Sequence, residues 1–165
     1  MKKFKRLYLY LWVVLLVSVD QIVKLIVVKK ENQLPVQVIK KFLKFTYCEN
    51  RGVAFSLGDG NVTLFIIINI VLISLLIAFF EINRNKFNKF GKTCIALTIA
   101  GGFSNLIDRI ARGFVVDFID VSDFIDFAVF NVADIFITCG VIGLAIFYIY
   151  NSVKNGDSKN EKDNG

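Results

Sequence analysis

The fold of this chain is decided by residues 98–134, which read TIAGGFSNLIDRIARGFVVDFIDVSDFIDFAVFNVAD. This stretch leaves one apolar segment through Asn105 and Arg109. After an acidic loop it enters another apolar segment at Asn131 and Asp134. Ionisable groups beside membrane-length apolar segments are costly to bury unless they are paired or functional. The polar residues at these two edges are therefore the first candidates for a functional site.

The apolar residues of the whole chain are distributed as in a polytopic membrane protein. Its 165 residues are 55% hydrophobic with a mean hydropathy of +0.59, and they form four apolar runs near the roughly 20 residues that cross a bilayer. The predicted spans are residues 7–28, 62–80, 93–111 and 131–150 of a single integral-membrane domain, 1–165. No small-residue cleavage site follows the first run, so we expect a retained helix. The polar tail, about 152–165, is predicted to be disordered.

The long connection 29–61 contains a pattern typical of a β-strand. Polar and apolar side chains alternate from Phe42 to Cys48, and residues 50–52 fit a turn before residues 53–55. We therefore predict a small β-hairpin-like element on the outer membrane surface. Together with the spans, this predicts an all-α membrane protein: four transmembrane helices with a small extracytoplasmic β-rich element.

The composition argues against several classes of site. The net charge of +6 comes from basic residues scattered over short membrane-flanking loops, which topology explains better than nucleic-acid binding. The chain has no His and no paired-Cys motif, and its three cysteines fit small apolar packing roles. We therefore predict no metal site, no disulfide framework and no cofactor. Asn69 and Ser74 in the second span are predicted to form interhelical hydrogen bonds.

The basic residues also predict the orientation. The N-terminal segment and the loop 81–92 are rich in Lys and Arg, whereas the acidic loop 112–130 has one Arg. The positive-inside rule then places both termini in the cytoplasm and loops 29–61 and 112–130 outside. Six basic residues in loop 29–61 argue against this orientation. The short basic loop 81–92 and its acidic counterpart decide in its favour.

In this orientation the polar residues of the spans share the outer leaflet. Asp20 lies about eight residues before the outer end of the first span, roughly 12 Å deep at 1.5 Å per residue. Asn105 and Arg109 lie in the last turns of the third span, and Asn131 and Asp134 begin the fourth. Unrelated residues at the membrane rim would show no such bias between leaflets. We therefore predict one site at or just below the outer surface.

Several of these residues also have a purely structural interpretation. Asp20 and Lys24 are four residues apart on one helical face, so they can form an ion pair or snorkel at the rim, or belong to a polar site inside the bundle. Asn131 can cap the fourth helix, with Asp134 in its first turn favoured by the helix dipole. Asp108 and Arg109 beside Asn105 can likewise form a structural ion-pair cluster.

Asp117 is the hardest of the acidic residues to explain as a loop charge. It lies in the apolar, strand-like run 114–119, whereas Asp120, Asp123 and Asp126 fit solvated loop charges. Two carboxylates held close together cannot both ionise cheaply, so one keeps a proton. The ionised partner can then take a proton from water while the protonated one supports a carbonyl oxygen. Asp117 and Asp134 would form such a dyad without a metal, if the fold brings them together.

Five motifs of this sequence together resemble the lipoprotein signal peptidases, that is, bacterial signal peptidase II. They occur in the order and at the spacing of that family and cover nearly the whole four-span chain. The motifs are DQIVK at residues 20–24, NRGVAF at 50–55, SNLIDR at 104–109, VVDF at 115–118 and FNVAD at 130–134.

The resemblance implies a membrane aspartic endopeptidase that removes the signal peptide from prolipoproteins, just before a diacylglyceryl-modified cysteine. It implies a multi-pass protein of the bacterial plasma membrane, active as a monomer at the outer leaflet, in contact with membrane lipid and inhibited by globomycin-type peptides. Asp117 and Asp134 match the catalytic pair. The matched supporting or substrate-contacting residues are Asp20, Lys24, Asn50, Gly52, Asn105, Arg109 and Asn131.

The chain departs from the family pattern at two positions beside the site. Ser104 stands where the family usually has Gly, and Val53 stands where it usually has Ala. Two other functions fit four spans with buried acids: a small proton-coupled carrier or channel subunit, and a structural scaffold. A proton pathway requires polar residues through the whole bilayer. The predicted inner halves of spans one, three and four are almost wholly apolar, and a scaffold explains neither Asp117 nor the leaflet bias.

Overall fold

The computed structural model describes residues 2–52 and 61–163, and within these it contains four α-helices, one short 3-10 turn and three β-strands. The helices are α1 (Lys2–Lys29), α2 (Val62–Asn83), α3 (Lys89–Arg112) and α4 (Val132–Asp163), and the 3-10 turn is Glu31–Gln33. The strands are β1 (Val36–Ile39), β2 (Leu43–Asn50) and β3 (Val115–Asp120).

Each of the four helices contains a segment long and apolar enough to cross a membrane. These segments are Tyr8–Lys29, Val62–Asn83, Lys89–Arg112 and Val132–Lys154. The predicted four-span membrane fold with a small β element is therefore confirmed. The fourth helix continues to Asp163, beyond residue 150, where the fourth span was predicted to end. Once a helix is nucleated, each further residue adds one backbone hydrogen bond, and a polar segment can therefore extend it.

The helix α3 occupies the middle of the bundle and packs against the other three helices. Asn88 caps its start by accepting a hydrogen bond from the Gly91 N–H at 2.9 Å. It ends at Gly113, whose φ of 79° is the left-handed conformation that glycine adopts without strain. A Cβ at Gly101 would collide with the Ala133 carbonyl oxygen on α4. The helices α3 and α4 therefore approach closely at this glycine.

An aromatic and aliphatic core holds the bundle together at the end opposite the sheet. Its buried members are Phe80, Phe87, Ile95, Ile99 and Phe147, and the rings of Phe87 and Phe147 stack with centroids 5.2 Å apart. The buried side chains at this end come from the apolar parts of the helices, away from the helix ends that carry Asp20, Asn105 and Asp134. Polar chemistry is therefore concentrated at the other end, where α1, α3 and α4 meet the sheet.

The three strands form one antiparallel sheet in the order β1-β2-β3. The hairpin turn lies before β2, at Lys40–Phe42, where Lys41 has a φ of 59°. Residues 50–52, which were predicted to form the hairpin turn, lie at the end of β2. Residues 53–55, which were predicted to follow that turn, lie outside the part of the chain described. The strand predicted over the alternating residues is confirmed, but its hairpin partner is β1.

The pairing of β2 with β3 brings two distant segments of the chain to the same place. Cys48 pairs with Asp117 and Asn50 pairs with Val115 across these strands. The strand β3 is almost fully buried, and Asp120 at its end is only 7% exposed. The prediction of a solvated charge is therefore wrong for Asp120, because its carboxylate accepts the Ser122 N–H at 2.9 Å and is covered by the sheet.

Candidate active site

Asn131 contacts both candidate catalytic carboxylates. Its side-chain Nδ2 donates to Asp117 Oδ1 at 2.6 Å, and its backbone N–H donates to Asp134 Oδ2 at 3.1 Å. Asp117 is 2% exposed in β3, whereas Asp134 is half-buried in the first turn of α4. The structure therefore brings together the two carboxylates that the sequence singled out.

The contact between Asn131 and Asp134 is also a reciprocal helix cap. Asn131 Oδ1 accepts the Asp134 N–H at 2.9 Å while the Asp134 carboxylate accepts the Asn131 N–H, which satisfies two backbone donors at the start of α4. The structural interpretation of these residues is thus correct. It does not exclude a role in chemistry, because the same cap fixes the position of Asp134 relative to Asp117.

Asn105 on α3 supports Asp134 from the other side. Its Nδ2 donates to Asp134 Oδ1 at 2.8 Å. Its Oδ1 accepts from Lys24 Nζ at 2.9 Å and from Asn131 Nδ2 at 3.2 Å. An amide can satisfy all three contacts because it carries both donors and an acceptor. Asn105 therefore links α1, α3 and α4 at the site.

Asn50 at the end of β2 holds the second oxygen of Asp117. Its Nδ2 donates to Asp117 Oδ2 at 2.9 Å, and its Oδ1 accepts the Gly52 N–H at 3.1 Å. The Gly52 carbonyl in turn accepts from Arg109 Nη2 at 3.0 Å. The segment after β2 is thus attached to α3 beside the site.

The pair Asp20 and Lys24 on α1 is fully buried. Lys24 Nζ lies 2.8 Å from Asp20 Oδ2 and 3.0 Å from Asp108 Oδ2, and all three side chains are 0% exposed. Snorkelling at the rim is therefore excluded, and the ion pair is confirmed. Asp20 Oδ1 also accepts the Ala133 N–H at 2.8 Å, which connects α1 to the first turn of α4.

Two polar residues of this cluster were not predicted as site residues. Ser104 Oγ donates to Asp20 Oδ2 at 2.6 Å, and Gln21 Nε2 donates to Ser104 Oγ at 2.9 Å and to Asp108 Oδ1 at 3.1 Å. The departure from Gly at Ser104 was the available signal, because a hydroxyl in an apolar helix core requires a partner.

Asp108 belongs to an ion-pair cluster, but Arg109, its predicted partner, is not in that cluster. Its cationic partners are Lys24 and Arg112, the latter four residues further along α3. It also accepts the Val116 N–H at 3.2 Å and so joins α3 to β3. The neighbouring Arg109 instead donates to the Gly52 carbonyl, and its guanidinium lies 5.7 Å from the ring centroid of Phe65 on α2.

Burial raises the pKa of Asp117 from its ordinary 3.8 to about 7. The negative charge of Asp134 also contributes to this rise, whereas hydrogen bonds from Asn50 and Asn131 and the charge of Lys24 oppose it. A carboxyl group with a pKa near neutrality can hold or release a proton at physiological pH. Within the described residues, no three His, Cys, Asp or Glu side chains are grouped to hold a metal ion.

The sequence of the chain also matches a known protein family. The family model described as "Signal peptidase (SPase) II" matches residues 12–150 of the chain, which include every site residue described above.

The chain belongs to the signal peptidase II family.

Relatives in this family are similar along almost the full chain. The lipoprotein signal peptidase of Streptococcus pneumoniae (strain ATCC BAA-255 / R6) is 37% identical over 158 residues, covering 93% of this chain and 99% of the relative. The lipoprotein signal peptidase of Clostridioides difficile (strain 630) is 35% identical over 144 residues, covering 87% and 95%. That of Staphylococcus aureus (strain bovine RF122 / ET3-1) is 41% identical over 128 residues, covering 77% and 76%.

Solved structures share the fold. One, titled "Bacterial membrane enzyme structure by the in meso method at 2.3 A resolution", superposes with a TM-score of 0.79 at 35% identity and covers 88% of this chain and 89% of its own. A second, with the same title at 1.9 Å, gives a TM-score of 0.76 at 36% identity and covers 86% and 92%. This signal peptidase II family member is thus a multi-pass membrane peptidase, and the carrier alternative is not supported.

Proposed function

We propose that this protein is an aspartic endopeptidase that cuts prolipoproteins on the N-terminal side of a diacylglyceryl-modified cysteine. The observation that carries the proposal is Asn131, which hydrogen-bonds both Asp117 and Asp134 and so makes them a pair. The family and its lipoprotein signal peptidase relatives supply the substrate class. Asp117 and Asp134 are the proposed catalytic residues.

Asp117 is the proposed proton donor of the pair, because its pKa near 7 leaves it substantially protonated at neutral pH. Asp134, closer to solvent, takes the proton from a water molecule whose oxygen attacks the scissile carbonyl carbon. The Asp117 proton stabilises the negative charge that develops on the carbonyl oxygen as the carbonyl carbon becomes tetrahedral. Collapse of this intermediate breaks the C–N bond, and the proton held on Asp134 passes to the leaving amine. Water is the only co-reactant.

The supporting residues hold this pair in place. Asn50 and Asn131 each donate to one oxygen of Asp117, which fixes the plane of its carboxyl group. Asn105 and the Asn131 N–H do the same for Asp134. Hydrogen bonds to both oxygens leave little rotational freedom, so the carboxyl groups are pre-oriented for reaction.

Asp20 and Lys24 do not contact the catalytic pair directly but support residues beside it. Lys24 binds Asn105 and balances the buried charges of Asp20 and Asp108. Arg109 anchors the Gly52 carbonyl, so the segment that carries Asn50 stays beside the site. These positively charged groups also make the local electrostatic potential favourable for an ionised carboxylate.

We place the site at the outer leaflet of the bacterial plasma membrane, with both termini in the cytoplasm. The basic loop 81–92 supports this orientation, since it joins α2 to α3 at the end of the bundle away from the sheet. Exposed apolar side chains of the hairpin, including Val36, Ile39 and Phe42, suit contact with lipid. The proposed enzyme works as a monomer and is inhibited by globomycin-type peptides.

The test is cleavage of a diacylglyceryl-modified precursor peptide by purified variants. Asp117→Asn and Asp134→Asn should each abolish cleavage while the protein still inserts and folds. Asp126→Asn is the matched control, because Asp126 is an exposed acid between β3 and α4. Turnover near that of the wild type in either dyad variant would refute the assignment.

A further inference from the structure

Asn69 on α2 has a side-chain amide whose donor is unused. Its Nδ2 atom is buried and makes no hydrogen bond within the described residues, so the interhelical hydrogen bond predicted for Asn69 is not formed. A buried donor without a partner is costly, and in a membrane no water compensates for it. A hydrogen-bond acceptor on a bound ligand would satisfy this donor.

Asn69 lies on the side of α2 that faces α3. Phe65, Asn69 and Ile73 are spaced four residues apart and therefore share one face of the helix. Both neighbours on this face contact α3. The Phe65 ring lies 5.7 Å from the Arg109 guanidinium, and Ile73 lies 3.1 Å from where a Cβ on Gly102 would stand.

These two contacts show which part of α3 lies opposite Asn69. The helices α2 and α3 run antiparallel, and Asn69 and Asn105 are each seven residues from the ends of these helices nearest the sheet. At 1.5 Å per residue both therefore lie roughly 10 Å from that end. Asn105 is the residue that donates to Asp134, so Asn69 stands level with the support of the catalytic pair.

A second buried donor faces the same space between α2 and α3. Arg109 Nε makes no hydrogen bond within the described residues, although Nη2 of the same side chain binds the Gly52 carbonyl. Two buried donors that are unused within the described residues, at the end of the bundle that holds the catalytic pair, mark a candidate position for an acceptor of the substrate. A carbonyl oxygen fits this position, because it is a neutral acceptor that can enter the hydrocarbon layer.

We propose that Asn69 is a substrate-positioning residue whose Nδ2 donates to a carbonyl oxygen of the bound precursor. This carbonyl belongs either to an acyl ester of the diacylglyceryl group or to the peptide backbone of the signal peptide. The inference rests on the proposed function. Asn69 holds the substrate at the level of the dyad and takes no part in proton transfer.

The test compares Asn69→Leu with Ser74→Leu in the full-length enzyme. Both variants replace a polar residue of α2 with leucine, but Ser74 is exposed on the outer surface of the helix. With a diacylglyceryl-modified precursor peptide, Asn69→Leu should raise KM about fivefold to tenfold, the effect of one lost hydrogen bond, and leave kcat nearly unchanged. Its thermal stability should not fall, because leucine leaves no unpaired donor. Ser74→Leu should change neither constant.

A dialkyl ether analogue of the same peptide identifies the acceptor. If the partner is the ester carbonyl, the difference in KM between wild type and Asn69→Leu disappears with the ether. If the partner is a backbone carbonyl, the difference persists. An active wild type with an unchanged KM in Asn69→Leu overturns this inference alone. A wild type that cleaves neither peptide overturns the proposed function and this inference with it.

Discussion

The side-chain amide of Asn131 lies 2.6 Å from Asp117, although Asn131 is also the residue that caps α4 and binds Asp134. One residue thus determines where the helix begins and how far its first-turn carboxylate stands from the strand β3. The helix cap and the carboxylate pair therefore depend on the same residue. This coupling makes the two roles of Asn131 separable only by substitutions that preserve the cap.

Asn131→Ser should separate the cap from the bridge to Asp117. Serine caps helices about as well as asparagine, so thermal stability should change little. The shorter side chain cannot replace the amide donor to Asp117, and kcat/KM for a lipidated precursor should fall about tenfold to a hundredfold. Asn88→Ser at the cap of α3 is the control and should keep full activity. Equal activity losses in both variants would contradict the bridging role.

The raised pKa of Asp117 predicts how Asp117→Asn changes stability with pH. A folded-state pKa of about 7 against an ordinary 3.8 means that ionisation of Asp117 costs folding stability as the pH rises from about 4 to 7. The asparagine variant does not incur this cost. Its melting temperature relative to wild type should therefore increase over this range and level off above pH 7. Thermal unfolding in detergent at several pH values measures this difference in melting temperature. A difference that does not change with pH would contradict the raised pKa of Asp117.

Lys24→Met should strongly destabilise the protein. The substitution leaves Asp20 and Asp108 buried without this cation, and breaking such a buried ion pair costs about 3–5 kcal/mol. Lys44→Met is the control, because Lys44 pairs with Asp123 in a partly exposed position on the sheet. The melting temperatures of both variants check the prediction. A similar fall in melting temperature in each would show that burial of the Lys24 ion pairs adds little to stability.

Ser104→Ala tests a feature of this chain that departs from its family's usual glycine. The alanine removes the donor to Asp20 and an acceptor for Gln21 in a fully buried position, which should cost about 1–2 kcal/mol. For a chain of this length that corresponds to a melting temperature lower by several degrees. Ser18→Ala, which removes an exposed hydroxyl bonded to the Val14 carbonyl, should have no such effect. An unchanged melting temperature in Ser104→Ala would show that the hydroxyl contributes nothing.

The local features of this fold could be predicted because they depend on neighbouring residues. Helix length and hydropathy identified the four spans, and the spacing of Asp20 and Lys24 identified an ion pair on one helical face. The alternation of residues 42–48 identified β2. The predictions failed where burial depended on distant parts of the chain. Asp120 resembles a loop charge in sequence, but β2 and the following turn cover it.

The four membrane spans and the family followed from the sequence, and the same motifs singled out Asp117 and Asp134 as candidates, because periodicity and motif order are properties of the linear chain. Helix packing and strand pairing were needed to show that these carboxylates share Asn131, that Lys24 lies fully buried between two aspartates, and that Asn69 Nδ2 has no hydrogen-bond partner among the described residues. The contact between Asn50 and Asp117 joins residues 67 positions apart. Such contacts depend on strand register and helix packing, which spacing along the chain does not specify.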